Sequence, residues 1–221
     1  METITGWVFI NDVVALFVLS KSRGSKVPAA LLGDEFEGTI ISDFFSAYSP
    51  LDVDKAKCWA HLLRDSHALT EGRPPPDPTS ERVLFHQELH QLYLAMGIAL
   101  LEVEVAETTR EQLHTNMRNQ LQEFAQKSWQ DADCVRLAKR IYKHLDELVV
   151  WLTKPDVAPD NNAAERALRP AVVTRKTSFG SRSKVGAQAF ARLLSIIMSW
   201  NKQDVSYFEQ GENILRNIAC S

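Results

Sequence analysis

Thr39-Ile40-Ile41-Ser42-Asp43-Phe44-Phe45 is a short apolar, β-branched run that follows Gly38 and has a carboxylate at its fifth position. Read as a strand, it is buried and parallel, and it delivers Asp43 at its C-terminal end. Open α/β sheets present functional groups in that way. A second reading makes Asp43 the cap of the segment that follows, Phe44 to Tyr48. Both stand at this level, and both place residue 43 where a strand stops.

Upstream, Trp7-Val8-Phe9-Ile10 and Val13 to Leu19 are apolar runs on either side of Asn11-Asp12, a turn signal. Together they predict a β-hairpin. Lys26 to Leu32 fits a short helix, with Pro28 in its first turn and Gly33 at its end. Downstream, Lys57-Cys58-Trp59-Ala60-His61 reads as one more strand, running into Leu62-Leu63-Arg64-Asp65. His61 in it is a candidate for a phosphate contact or proton transfer, with a structural histidine as the alternative. Glu71-Gly72-Arg73-Pro74-Pro75-Pro76-Asp77-Pro78 is stiff and extended and marks a boundary.

From about residue 81 to 152 the period is helical. Leu89, Leu92, Tyr93, Met96, Leu100 and Val103 recur at three and four residue steps. Leu113, Met117, Leu121 and Phe124 follow, then Val135, Ala138, Ile141, Leu145, Leu148 and Leu152. Three antiparallel helices inserted into an α/β domain are the simplest architecture. His86 and His90 stand one turn apart, but Gln87-Glu88-Leu89 between them does not give the HExxH order, and a polar helix face accounts for them.

Lys154 to Pro159 leads back into Asp160-Asn161-Asn162-Ala163-Ala164-Glu165-Arg166-Ala167-Leu168-Arg169-Pro170. Asp160 or Asn161 caps a helix there, and Pro170 is expected to end or kink it. Glu165 shares a face with Asn161 or Asn162 and with Arg169. It is a candidate metal ligand or, alternatively, half of a surface ion pair. Val185 to Trp200 is a further amphipathic helix, with Phe190, Leu193, Leu194, Ile197 and Met198 expected on its packed side. Residues 207–218 form a weaker helix.

The chain has 221 residues, 45% of them hydrophobic, which allows a sizeable core. Its net charge of −3 does not by itself suggest a nucleic-acid partner. The distribution does: residues 166–203 hold eight basic residues and no acid. Arg166, Arg169, Arg175, Lys176, Arg182 and Lys184 are the DNA-binding candidates of that segment. A solvated cationic face is the alternative. Cys58, Cys134 and Cys220 lack paired spacing and read as reduced thiols of a cytoplasmic protein. No apolar run is long enough to span a membrane.

Four segments in order resemble the central and C-terminal parts of the insertion sequence 66 transposase family. They are Ser22 to Val27, Ile41 to Tyr48, Lys57-Cys58-Trp59-Ala60-His61-Leu62-Leu63-Arg64-Asp65, and Asp160 through Arg169 with Arg175-Lys176. The resemblance implies a ribonuclease-H-like fold, an α/β core with a mixed sheet and an inserted α-helical subdomain. It also implies DDE chemistry at DNA element ends, in which two Asp and one Glu hold two Mg²⁺ (or Mn²⁺) ions. Asp43 matches the family's second Asp and Glu165 its Glu, as catalytic and metal-binding residues; His61, Asn161 and Asn162 are auxiliary candidates.

The family's first Asp lies in a strand well upstream of the one equivalent to Trp7–Ile10. Glu2-Thr3 echoes its motif but stands too close to Trp7. The expectation is therefore an N-terminally truncated, inactive copy whose first core strand is missing. The alternative is a non-catalytic DNA-binding or interaction remnant, partnering itself or a full-length transposase. On this reading residues 1–73 are the N-terminal half of the core and 74–153 the linker and helical insertion. Residues 154–203 carry the catalytic helix, the basic segment and a core helix, and 204–221 are a tail.

Overall fold

A computed structural model describes residues 5–71, 77–103, 109–177 and 183–219; of these, the side chains of residues 175, 207, 215 and 217–219 are not described. The chain divides into two compact units, Leu32–Asn161 and Met1–Leu31 with Asn162–Ser221. We call them the helical unit and the hairpin unit.

In the hairpin unit, β1 (Thr5–Ile10) and β2 (Ala15–Ser20) pair antiparallel, with Trp7 opposite Val18 and Ile10 opposite Ala15. The turn is where Asn11-Asp12 predicts it. Asn11 Oδ1 accepts from the N–H groups of Val13 (2.9 Å) and Val14 (2.7 Å), fixing the reversal through a side chain. Helix α1 is Lys26–Leu32, and Gly33 ends it at φ 71°, a left-handed conformation that glycine adopts without strain.

Helix α7 (Asn162–Thr177) lies against β1, and α8 (Lys184–Lys202) lies against β2. The buried cluster of this unit is Ala15, Phe17, Ala167 and Ala191, flanked by half-buried Val8, Ile10, Leu168, Ala171, Leu194 and Met198. Helix α9 (Tyr207–Ala219) closes the described chain.

Two expectations for this unit need correction. Of the two outcomes expected at Pro170, an end or a kink, the end does not occur: α7 passes through it to Thr177. A proline removes one ladder N–H, and the turns on either side keep their own bonds. The packed side of α8 is also narrower than its apolar residues suggest. Ala191 and Ser195 are its buried positions, while Leu193 and Ile197 are 59% and 41% exposed. Polar serines take the inner face because the edge of β2 needs acceptors. Ser195 Oγ accepts from Phe17 N–H at 2.9 Å and Ser199 Oγ from Ala15 N–H at 3.0 Å. The two hydroxyls thus serve N–H groups of an edge strand that another strand would otherwise take.

In the helical unit, β3 (Thr39–Ser42) and β4 (Asp54–Lys57) pair parallel, from Thr39 opposite Asp54 to Ser42 opposite Lys57. The strand predicted at 57–61 therefore lies earlier, and Trp59–His67 is helix α2. Asp54-Lys55-Ala56-Lys57 carries little strand propensity. Its pairing depends on where the lysines find acceptors: Lys55 Nζ donates to Leu51 O at 2.7 Å, and Lys57 reaches the end of β3.

The helical block holds α3 (Glu81–Glu102), α4 (Arg110–Ala125), α5 (Ala132–Lys143) and α6 (Leu145–Val149). The start of α3 meets the end of α4, with Phe85 and Phe124 rings 4.9 Å apart and Lys127 paired with Glu88. Arg110, at the start of α4, donates to Leu152 O at 3.1 Å. The three antiparallel passes are as the periodicity predicts. The third is broken at His144, whose ψ of 26° separates α5 from α6. Leu89, Met96, Leu113, Leu121, Ile141 and Leu148, picked by their period, are buried in one core with Trp59 and Leu62.

The α/β class holds. The described residues form two separate two-stranded sheets in place of the single mixed sheet expected.

Candidate functional site

Asp43 directly follows β3. Ser42 O accepts from Cys58 N–H at 2.9 Å, extending the β3–β4 pairing past its last register position. Asp43 Oδ1 accepts from Phe45 N–H at 3.0 Å, a local turn bond. The element after it is a single 3₁₀ turn, Ser46–Tyr48, whose N-cap is Phe45. So Asp43 stands at a strand end and braces its own turn; it does not cap a helix. The residue is half-buried. Burial first, and then the negative charge of Asp43, push the Tyr48 phenol up.

Beside it lies a charge that the linear sequence did not disclose. Lys57 is 2% exposed. Its ammonium donates to Asp43 O (3.1 Å) and Ser42 Oγ (3.2 Å) and lies 3.5 Å from Glu147 Oε2. Burial pulls the Lys57 ammonium below its usual range, and Glu147 works against that pull. Burial likewise opposes ionisation of Glu147, but His144 and Lys57 outweigh it and hold its carboxyl below the ordinary value. His144 Nδ1 is 3.2 Å from Glu147 Oε2, without hydrogen-bond alignment. Phe44, next to Asp43, has the Arg140 guanidinium 4.5 Å above its ring and the His144 ring at its edge, 5.6 Å between centroids.

His61 and Asn161 meet at one atom. The Cys58 sulfur accepts from Asn161 N–H at 3.3 Å and also faces the backbone of His61, while Trp59 N–H donates to Pro159 O at 2.9 Å. These bonds tie the start of α2 to the segment that precedes α7. Burial raises the Cys58 thiol, and its sulfur serves here as a hydrogen-bond acceptor.

Glu165 lies in the first turn of α7 and is half-buried. At about 100° per residue, Arg166, Arg169 and Lys176 fall within a sector of about 80°, and Glu165 flanks it. Ala167, Leu168 and Ala171 occupy the packed side. Arg166, Arg169 and Lys176 are exposed, as is Lys184 at the start of α8. Asn162 is the first residue of α7. The helix carries Arg175 as well, with its side chain outside the described residues, and Arg182 lies outside them altogether. Asp43 belongs to the helical unit and Glu165 to the hairpin unit.

Carboxylate oxygens are the right donors for a hard divalent cation. In kind, Asp43 and Glu165 fit Mg²⁺ or Mn²⁺. In number they do not: the described residues contain no group of three or more His, Cys, Asp or Glu placed to hold a metal ion. His86 and His90 have rings 6.0 Å apart, and His86 Nδ1 pairs with Ser66 Oγ at 2.9 Å, in keeping with a polar helix face. Among the described residues no helix is long and apolar enough to cross a membrane.

Comparison with known proteins adds the following. The model of a family described as "Transposase IS66 family" matches residues 2–189. An uncharacterized protein, y4qI, of Sinorhizobium fredii (strain NBRC 101917 / NGR234) is 26% identical over 201 residues, covering 83% of this chain. The chain spans 36% of that relative's length. No solved structure matches.

Proposed function

This chain belongs to the IS66 family of transposases, and we propose that it carries two of the three carboxylates of a DDE-type, ribonuclease-H-like DNA transposase, Asp43 and Glu165. The observation that carries the reading is Asp43. It follows a strand of a parallel pair, with its backbone pinned by Lys57 and the residue half-buried. Asp43 and Glu165 would be ligands to Mg²⁺ or Mn²⁺, which would supply activation of a water or DNA 3′-hydroxyl and stabilisation of the leaving oxygen. The chain's own part is to hold carboxylate oxygens at fixed points and to bind the phosphate backbone. Arg166, Arg169, Arg175, Lys176, Arg182 and Lys184 supply that binding, next to Glu165 in sequence.

A second reading, a non-catalytic DNA-binding remnant, draws on residues 166–203, which hold eight basic residues and no acid. One experiment separates the two. The chain is fused behind the first-strand segment of a longer family member and assayed for Mn²⁺-dependent cleavage of element-end DNA. Cleavage is expected. Asp43→Asn and Glu165→Gln should each reduce it by more than the roughly 10–100-fold that changes behind a metal ligand cost, with DNA retention in gel shifts unchanged. Binding without cleavage in the fusion, or cleavage that survives both substitutions, overturns the catalytic reading.

A further inference from the structure

Buried Lys57 and half-buried Glu147 are an ion pair that the proposed chemistry does not use. A buried ammonium is costly unless its charge and its donors are satisfied. Here both hydrogen-bond acceptors of Lys57 lie at the end of β3. It donates to the carbonyl of Asp43 itself, at 3.1 Å, and to Ser42 Oγ, at 3.2 Å. Its counter-charge, Glu147 at 3.5 Å, comes from α6 in the helical block. The same block grips the neighbouring Phe44 through Arg140 and His144.

The end of β3 is thus held from three sides. Cys58 N–H takes Ser42 O, Lys57 takes Asp43 O, and Asp43 Oδ1 takes Phe45 N–H. Side chains behind a ligand fix its direction, and a carboxylate on a short turn after a strand has little else to fix it.

We propose that Lys57 is a positioning residue for Asp43, that Glu147 is its counter-charge, and that the inserted helices thereby set the direction of the Asp43 carboxylate. The proposal rests on the reading of Asp43 as a site carboxylate. Lys57 is 2% exposed, so it acts through the Asp43 backbone and not on a substrate.

The test is hydrogen exchange at single amides in the full 221-residue chain. Phe45 N–H reports the turn that carries the Asp43 carboxylate, and α3 amides report overall opening. Two variants are compared with the parent: Lys57→Met, and Lys57→Met with Glu147→Leu, which leaves no buried charge unpaired. In the double variant Phe45 exchange should rise at least about tenfold relative to the α3 amides. A Phe45 rate that is unchanged, or that rises only in step with α3, overturns the proposal. Should neither variant fold, Glu147→Gln is read by the same ratio, with a rise of about threefold expected and no rise overturning it.

Mn²⁺ titration of the parent chain keeps the two readings apart. Broadening of the Phe44 and Phe45 amide signals supports Asp43 as a ligand. If broadening is absent while the exchange effect stands, the carboxylate reading fails and the Lys57 clamp on the Asp43 turn survives it.

Discussion

The two units of this chain are held together by different means. The helical unit buries one continuous core of large side chains, including Trp59, Phe85, Leu89, Met96, Leu121, Ile141 and Leu148, each 0% exposed. The hairpin unit buries a cluster of four residues, three of them alanines, and relies on serine hydroxyls against the edge of β2. The hairpin unit also leaves Val173, Val185, Leu193 and Phe208 more than half exposed. Burial of an aliphatic or aromatic side chain stabilises by about 1.5–3 kcal/mol. The helical unit accumulates many such terms and the hairpin unit few. Asp43 therefore stands on a rigid platform, and Glu165 on a thin one.

The sharpest way to break that comparison is to hollow each unit in turn. Phe85→Ala should destabilise the helical unit by about 3–5 kcal/mol, because its ring packs against Phe124 and Trp129 at 4.9 and 4.8 Å. Urea denaturation read by tryptophan fluorescence gives the number. A loss below about 1 kcal/mol would show that this core is less tight than its burial implies. Next in size, Ser195→Ala in the hairpin unit leaves the Phe17 N–H buried without its acceptor, at a cost of about 1–3 kcal/mol. Hydrogen exchange at Phe17 should accelerate accordingly, and an unchanged rate would remove the serine edge as a stabilising device.

Acid should act on the helical unit by a smaller, graded effect. Glu147 and Asp146 have carboxyls held below their ordinary values in the fold, Glu147 against burial by His144 and Lys57, Asp146 by the Arg118 hydrogen bond. A carboxyl depressed in the folded state gives stability that is present above its unfolded value, 4.5 for Glu147, and is lost as pH falls through the folded one. Thermal unfolding from pH 7 downward should show Tm falling below about pH 4.5, and falling less steeply in Glu147→Gln. Equal slopes would contradict the assignment. Smallest in stability are Arg169→Ala and Lys176→Ala, both on exposed positions of α7 and within about 0.5 kcal/mol of the parent. If they contact phosphates as proposed, each lost contact should lower the salt slope of DNA binding by about 0.9. An unchanged slope for both would favour a merely solvated cationic face.

Several elements were legible because their cause is local. Asn11-Asp12 marks the hairpin since an Asn side chain folds the turn on its own backbone. Gly33 ends α1 because that position takes a positive φ. The heptad-like recurrence of Leu113, Met117, Leu121 and Phe124 names the buried face of α4 without help from any neighbour. Asp43 was placed at a strand end by the apolar run before it. β4 was missed because Asp54-Lys55-Ala56-Lys57 looks like surface. The packed face of α8 was drawn too wide: Leu194 and Met198 pack as expected, but Leu193 and Ile197 are exposed, and small Ala191 and Ser195 take the buried positions.

By itself, then, the sequence determined the α/β class, the helical block and the family, since periodicity, turn chemistry and motif are carried by residues close together in the chain. The tertiary structure alone decided that a lysine is buried against the Asp43 carbonyl, that α7 runs on through Pro170, and that serines stand in for a strand at the edge of β2. Those outcomes depend on acceptors and charges brought from residues up to 184 positions away, and no local pattern encodes such a meeting.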